Sequence, residues 1–260
     1  MTPRVRSPEL PHDQPWLNTD RPLSLKSLKG RVVILDFWTY CCINCLHVLP
    51  ELKYLEQKYK DSLTVIGVHS AKFDNEKEVE NIRQAVLRYD IEHPVLVDSG
   101  FKVWQEYAIR AWPTLVVIDP QGYYVGHASG EGNRDVLDEL IGKIIHEHKE
   151  KGTISKFEEL SLTLEKQRQP LVKPLAFPGK VLASQAGVGK SCLFIADSGH
   201  HRIVVTSLGG EVLYIIGNGK SGLTDGSFKE AEFFAPQGMA FDADNQILYV
   251  ADTENHALRR

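Results

Sequence analysis

Val32-Val-Ile-Leu-Asp-Phe37 is an apolar run holding a single carboxylate, with Gly30 just ahead of it. Such a run reads as a strand buried on both faces. Strands of that kind belong to mainly parallel sheets with helices on either side, so the first half of the chain is expected to be α/β. The spacing that follows keeps the alternation. Leu46, Leu49, Leu52 and Leu55 recur at helical intervals, predicting a helix from about Cys42 to Tyr59. Leu63–Val68 reads as a second buried strand, 75–89 as a charged amphipathic helix, Val95–Val97 as a short strand and Phe101–Tyr107 as a short helix. Leu115–Ile118 is a fourth strand. Asp119-Pro-Gln-Gly122 has turn chemistry, so Tyr123–Ala128 should return as a hairpin partner on an antiparallel edge. Asn133 is placed to cap a last helix reaching Lys149, with Val136, Leu137, Leu140, Ile141, Ile144 and Ile145 as its apolar stripe.

Either side of this block the pattern changes. Residues 1–22 hold five prolines and read as an irregular arm that Trp16 and Leu17 pin to a surface. Residues 151–178 are charged and then punctuated by Pro170, Pro174 and Pro178, which reads as a linker. From 179 to 260 come short strands and glycine-rich turns. Leu193-Phe-Ile-Ala-Asp-Ser-Gly-His-His-Arg202 and Leu248-Tyr-Val-Ala-Asp-Thr-Glu-Asn-His256 are similar, with Asp197 and Asp252 in matching places. A repeated strand–Asp–turn–His unit suggests propeller blades. A propeller needs about four blades to close. The chain therefore reads as an α/β domain at 23–150 followed by the first part of an incomplete all-β propeller.

Charge excludes some functions. Lys+Arg 30 against Asp+Glu 34 leaves −4, so there is no basic field for nucleic acid or an anionic membrane. No apolar run approaches a membrane span, and the two N-terminal arginines lead into no apolar stretch, so neither an anchor nor a secretory leader is expected. Of four cysteines, three stand within five positions, at Cys41, Cys42 and Cys45, which suggests chemistry more than stapling.

Cys42 and Cys45 form a C-x-x-C at the start of the first long helix. Unpaired backbone N–H groups and the macrodipole favour an anion there. An ordinary thiol is roughly 3% ionised at neutral pH, and lowering its pKa to about 7 ionises half of it, a change of about 2 kcal/mol. Cys42 is thus the expected nucleophile, and Cys45, one turn on, can attack the mixed disulfide and release the product.

Phe37-Trp38, Cys42-x-x-Cys45 and Trp112-Pro113-Thr114 together resemble the thioredoxin superfamily, in particular its TlpA/ResA-like branch, over about residues 20–150. The resemblance implies that Asp36, six residues before the first cysteine, is a buried acid assisting proton transfer. It implies that Pro113 is cis and presents the backbone of Trp112 beside Cys42, where a protein substrate can pair. Trp38 and Tyr40 are expected to flank the same cleft. The chain departs from thioredoxin in having Ile43-Asn44 between its cysteines and a third thiol, Cys41, before the nucleophile, so direction and strength of redox activity do not carry over. Cys41 is read as packing or sensing. With the two Asp…His copies, the chain is similar to the NHL-repeat-containing protein 2 family, which joins a thioredoxin-like domain to an NHL propeller. That resemblance implies a cytoplasmic setting.

Other motifs are weaker. A peroxiredoxin needs proline at position 35, where Leu35 stands. Cys41 and Cys45 make a C-x-x-x-C, but no histidine is placed as a third copper ligand, so no metal is assigned. Gly187-Val-Gly-Lys-Ser191 lacks the first glycine of a P-loop and reads as a turn. His146, His148, His200 and His201 are expected to be solvated, with Arg202 and His256 fixing turns. No organic cofactor is implied. The expected function is thiol–disulfide exchange or redox sensing on protein thiols and disulfides, with the propeller as an interaction module. The rival is a non-catalytic scaffold that uses the thioredoxin-like fold for docking.

Overall fold

The computed structural model describes residues 4–155, 160, 162–169, 173–185 and 187–260. The chain divides into two compact units, Met1–Pro170 and Leu171–Arg260. Pro3, Pro170 and part of the expected linker (156–159, 161, 171 and 172) lie outside the described residues.

In the first unit the elements run β1 (Trp16–Leu17), β2 (Val32–Trp38), α1 (Ile43–Lys58), β3 (Leu63–His69), α2 (Val79–Arg88), β4 (Val95–Val97), α3 (Lys102–Glu106), β5 (Thr114–Ile118), β6 (Tyr124–Ser129), α4 (Arg134–Glu150) and α5 (Glu165–Arg168). Six strands form one sheet in the order β1-β4-β3-β2-β5-β6. β2, β3 and β4 are parallel, whereas β1, β5 and β6 run antiparallel to their neighbours. The sheet is therefore mixed, not mainly parallel as expected. The connection from Val97 to Thr114, which includes the five-residue α3, carries the chain past β3 and β2, and β5 then pairs antiparallel on the far side of β2.

Apolar side chains leave β2 on both faces, as its unbroken run requires. Val33, Leu35 and Phe37 pack with Ile66, Val68 and Val116 in one core. Val32 and Ile34 pack on the other side against α1 and α4 through Leu52, Leu55, Leu137 and Ile141. Each fully buried leucine or isoleucine contributes about 2 kcal/mol by leaving water. Val136 is 66% exposed and does not join the α4 stripe. Asn133 precedes α4 without capping it; its amide donates back to the Gly130 carbonyl at 2.8 Å. His148 is buried on α4, with its Nδ1 2.7 Å from the Thr153 hydroxyl, so it is not solvated.

The N-terminal arm is less irregular than expected. Trp16 and Leu17 pair with Leu96 and Val95 as an edge strand, and Leu10 and Leu17 are buried. The first unit also reclaims part of the expected linker. Asn18 and Glu165 exchange reciprocal hydrogen bonds: the Glu165 amide donates to Asn18 Oδ1 at 2.8 Å, and the Asn18 amide to Glu165 Oε1 at 3.4 Å. Arg83 closes the same knot on Glu165 at 2.7 Å.

The second unit contains two open antiparallel sheets. β7 (Lys180–Ser184), β8 (Cys192–Asp197), β9 (Arg202–Ser207) and β10 (Val212–Ile216) form one, and β11 (Pro236–Asp242), β12 (Ile247–Asp252) and β13 (Ala257–Arg259) the other. They share an apolar core of Ala196, Ile203, Phe233 and Val250. The two Asp copies do the same structural work. Asp197 accepts from the Ala176 amide at 2.6 Å, the His200 ring at 2.8 Å and Arg202 at 2.8 Å. Asp252 accepts from the Phe234 amide at 2.7 Å, Asn255 at 2.8 Å and Arg259 at 3.0 Å. His201 and His256 both take left-handed backbone after these turns, at φ 52° and 51°. Hence His200 is a structural partner, not a solvated ring, and Arg202 fixes a turn as expected. Gly187–Gly189 is a single 3-10 turn ahead of β8, as its failure to match a P-loop requires.

Candidate functional site

β2 delivers the site. Its last residues lead through Thr39 and Tyr40 into the cysteines, and Cys42 stands immediately before α1 in extended backbone. The first turn of α1 holds no acidic side chain, so the positive helix end is left for an anion. Cys42 is half-buried and Cys45 fully buried; both are free thiols, and both pack in the apolar cluster around Trp38. Burial first, then the neighbouring Cys42 thiol and the charge of Asp36, push the Cys45 thiol well up. The buried thiol of the pair therefore holds its proton at neutral pH.

Asp36 contributes to that upward push. It is fully buried, and neither carboxyl oxygen has a hydrogen-bond partner among the described residues. Burial pushes its carboxyl up from 3.8 to about 7, with His93 opposing and Glu56 adding to the rise. In the strand register it stands opposite Gly67 of β3 and Leu115 of β5.

Trp112–Pro113 is a cis peptide, as expected. Trp112 is half-buried, stacks on Trp104 at 4.4 Å and donates its indole N–H to the Ser70 carbonyl at 3.0 Å. Trp112 and Cys42 pack on the same apolar cluster around Trp38 and Cys45, and Pro113 is buried beside it. Tyr40 is half-exposed and stacks on His69 at 5.5 Å. Trp38 departs from its expected role. It shares the inward face of β2 with Asp36, is fully buried, and meets His69 edge-on at 5.0 Å. It supports the site from beneath and flanks no cleft.

Cys41 is exposed, yet it is tied to a buried acid that no spacing in the sequence signals. Glu76 accepts from the Cys41 amide at 3.2 Å, the Thr39 hydroxyl at 2.8 Å and the Lys72 and Phe73 amides at 2.7 and 3.1 Å. Burial opposes its charge, but these bonds hold its carboxyl below the usual range. Loss of solvent and then Glu76 push the Cys41 thiol up. Two adjacent cysteines therefore sit in contrasting surroundings: Cys42 at a positive helix end, Cys41 against an anion.

Two family models match, a thioredoxin-like model over residues 30–124 and an NHL repeat over residues 235–260. The chain is 49% identical over 256 residues to NHL repeat-containing protein 2 of Gallus gallus, covering 97% of this chain and 34% of that protein. The chain belongs to the NHL repeat-containing protein 2 family. It is also 50% identical over 256 residues to protein SUPPRESSOR OF QUENCHING 1, chloroplastic, of Arabidopsis thaliana, covering 97% of this chain and 24% of that protein. The chain thus spans about a third and about a quarter of the length of these two relatives. Its first unit is 32% identical over 124 residues to thiol-disulfide oxidoreductase ResA of Bacillus cereus, covering 48% of this chain and 69% of that protein. A solved thioredoxin-like superfamily protein superimposes with a TM-score of 0.51 at 24% identity, covering 54% of this chain and 96% of that one. The first unit is thus a thioredoxin-like domain related to thiol–disulfide oxidoreductases. No described helix is long and apolar enough to cross a membrane.

Proposed function

We propose that the first unit exchanges thiols and disulfides with protein substrates through Cys42 and Cys45. The observation that carries this reading is the pair of free thiols at the start of α1, packed in one apolar cluster, with a buried and unpartnered carboxyl, Asp36, on the strand that leads into them. The Cys42 thiolate attacks one sulfur of a substrate disulfide; that S–S bond breaks, and the first substrate thiolate leaves. Asp36 takes the proton of Cys45. The Cys45 sulfur then attacks Cys42, the mixed disulfide breaks, and the second substrate thiolate leaves. The substrate gains two electrons and the chain ends with a Cys42–Cys45 disulfide. The same steps run backwards when the oxidised chain meets a substrate dithiol. Trp112 and Pro113 receive the substrate backbone, and Tyr40 and the 61%-exposed Ile43 border it.

The second unit supplies propeller blades that dock protein partners. Three free thiols within five residues suit a reducing compartment, which supports the cytoplasm.

Titration against defined redox buffers, with mass mapping of the bonded pair, tests the reading. A reversible two-electron step on Cys42 and Cys45, lost in Cys42→Ser, is expected. No step, or substrate reduction unchanged in Cys42→Ser, refutes it and leaves a docking scaffold.

A further inference from the structure

Asp36 is not alone beneath the cysteines. His93 is buried in the segment leading into β4, with its Nδ1 3.4 Å from Glu56 Oε2 of α1. Its other ring nitrogen, Nε2, has no partner among the described residues, and neither has the indole nitrogen of Trp38. Both lie over Gly67, the residue paired with Asp36. A Cβ on Gly67 would stand 2.9 Å from Trp38 Nε1 and 3.4 Å from His93 Nε2. The missing side chain at 67 leaves room for both nitrogens beside the strand position paired with Asp36. Glu56 is 30% exposed, so the array runs from a sealed carboxyl to one that meets water.

We propose that His93, held by Glu56, is the counter-charge of Asp36 and a positioning residue that sets when the buried acid can take the Cys45 proton. The proposal rests on the exchange reaction above for its catalytic meaning. Every group facing the pair fits it. Burial works against a charged His93 ring, but Glu56, Asp36 and Glu92 together raise its pKa. Burial and Glu56 both disfavour the Asp36 anion, and His93 is the neighbour that favours it. Glu92 is itself occupied by Lys166 at 2.5 Å. Glu56 thus acts on Asp36 in two opposite ways: directly as a like charge, and through His93 as the group that keeps the ring protonated.

The test follows the neutral carboxyl band of Asp36 by infrared spectroscopy in the reduced full chain, assigned by its loss in Asp36→Asn. The parent should titrate at about 7. His93→Gln should move that midpoint up by about one pH unit, and the pH inflection of mixed-disulfide resolution should move with it. Glu56→Gln, at a partly exposed helix position, keeps the proposal testable if His93→Gln fails to fold: its His93 ring should titrate lower by proton NMR. An unmoved Asp36 midpoint in folded His93→Gln, or an unmoved His93 midpoint in Glu56→Gln, overturns the proposal. Shifted midpoints in a chain that exchanges no disulfides would sink the exchange reading alone.

Discussion

Replacing Asp36 with asparagine should remove the loss of first-unit stability that this carboxyl causes as pH rises. The unfolded carboxyl titrates at 3.8 and the folded one at about 7. Below 3.8 both states hold the proton and nothing is lost. As pH climbs from there to about 7, the unfolded chain releases a proton that the folded chain must keep, and folding loses ground. At about 1.36 kcal/mol per pH unit the full loss is about 4 kcal/mol, reached by about pH 8, with under about 1 kcal/mol present near pH 4. Because the carboxyl is sealed from water, solvent does not screen this away. Asparagine keeps the shape and drops the ionisation. All four tryptophans (16, 38, 104 and 112) lie in the first unit, so fluorescence-monitored urea unfolding of the full chain reports on that unit alone. At about 2 kcal/mol per molar urea, the variant should gain roughly 2 M in midpoint near pH 8 and little near pH 4. A gain of equal size at both pH values would refute a buried, ionisable Asp36.

Glu76→Gln should release the brake on the exposed thiol. Cys41 alkylation by iodoacetamide should speed up at neutral pH, mapped by mass spectrometry, while stability falls by about 1–3 kcal/mol as charge-assisted bonds to buried donors are lost; unchanged Cys41 reactivity would show that Glu76 does not control it. Asp197→Ala should unfold the second unit preferentially, costing about 3–5 kcal/mol because Arg202 and the Ala176 amide lose a buried partner. Proteolysis confined to residues beyond 171, with tryptophan fluorescence intact, is the expected signature, and a stability equal to the parent's would contradict it.

What the sequence revealed was local. A strand written as a run of β-branched and large apolar residues, a thiol pair one helical turn apart and a proline before a strand each announce themselves within a few positions, and β2, α1 and Pro113 stand where expected. What it hid depends on distant partners. The helix expected over 75–89 breaks at Glu78, which is extended at ψ 121°, because Glu76 turns its carboxylate to the loop at 39–41 and the chain folds into a 3-10 turn to let it. Nothing near Glu76, His93 or Glu56 marks them as belonging under the cysteines; they meet there through the order of strands. Trp38 was misplaced because its neighbours in sequence line the site, whereas strand alternation puts it on the face of Asp36, pointing inward. Val136 has the spacing of a core residue but sits at the edge of the stripe that α4 presents to the sheet.

The reciprocal clasp between Asn18 and Glu165 bears on how the molecule can be dissected. Cutting after residue 150, where the last long helix stops, would delete the buried one of two acceptors of Arg83 and strip a buried asparagine of one of its mates, loosening an edge strand at the opposite terminus. The natural seam of the thiol-bearing half therefore falls past α5, some twenty residues later than the helical pattern alone suggests.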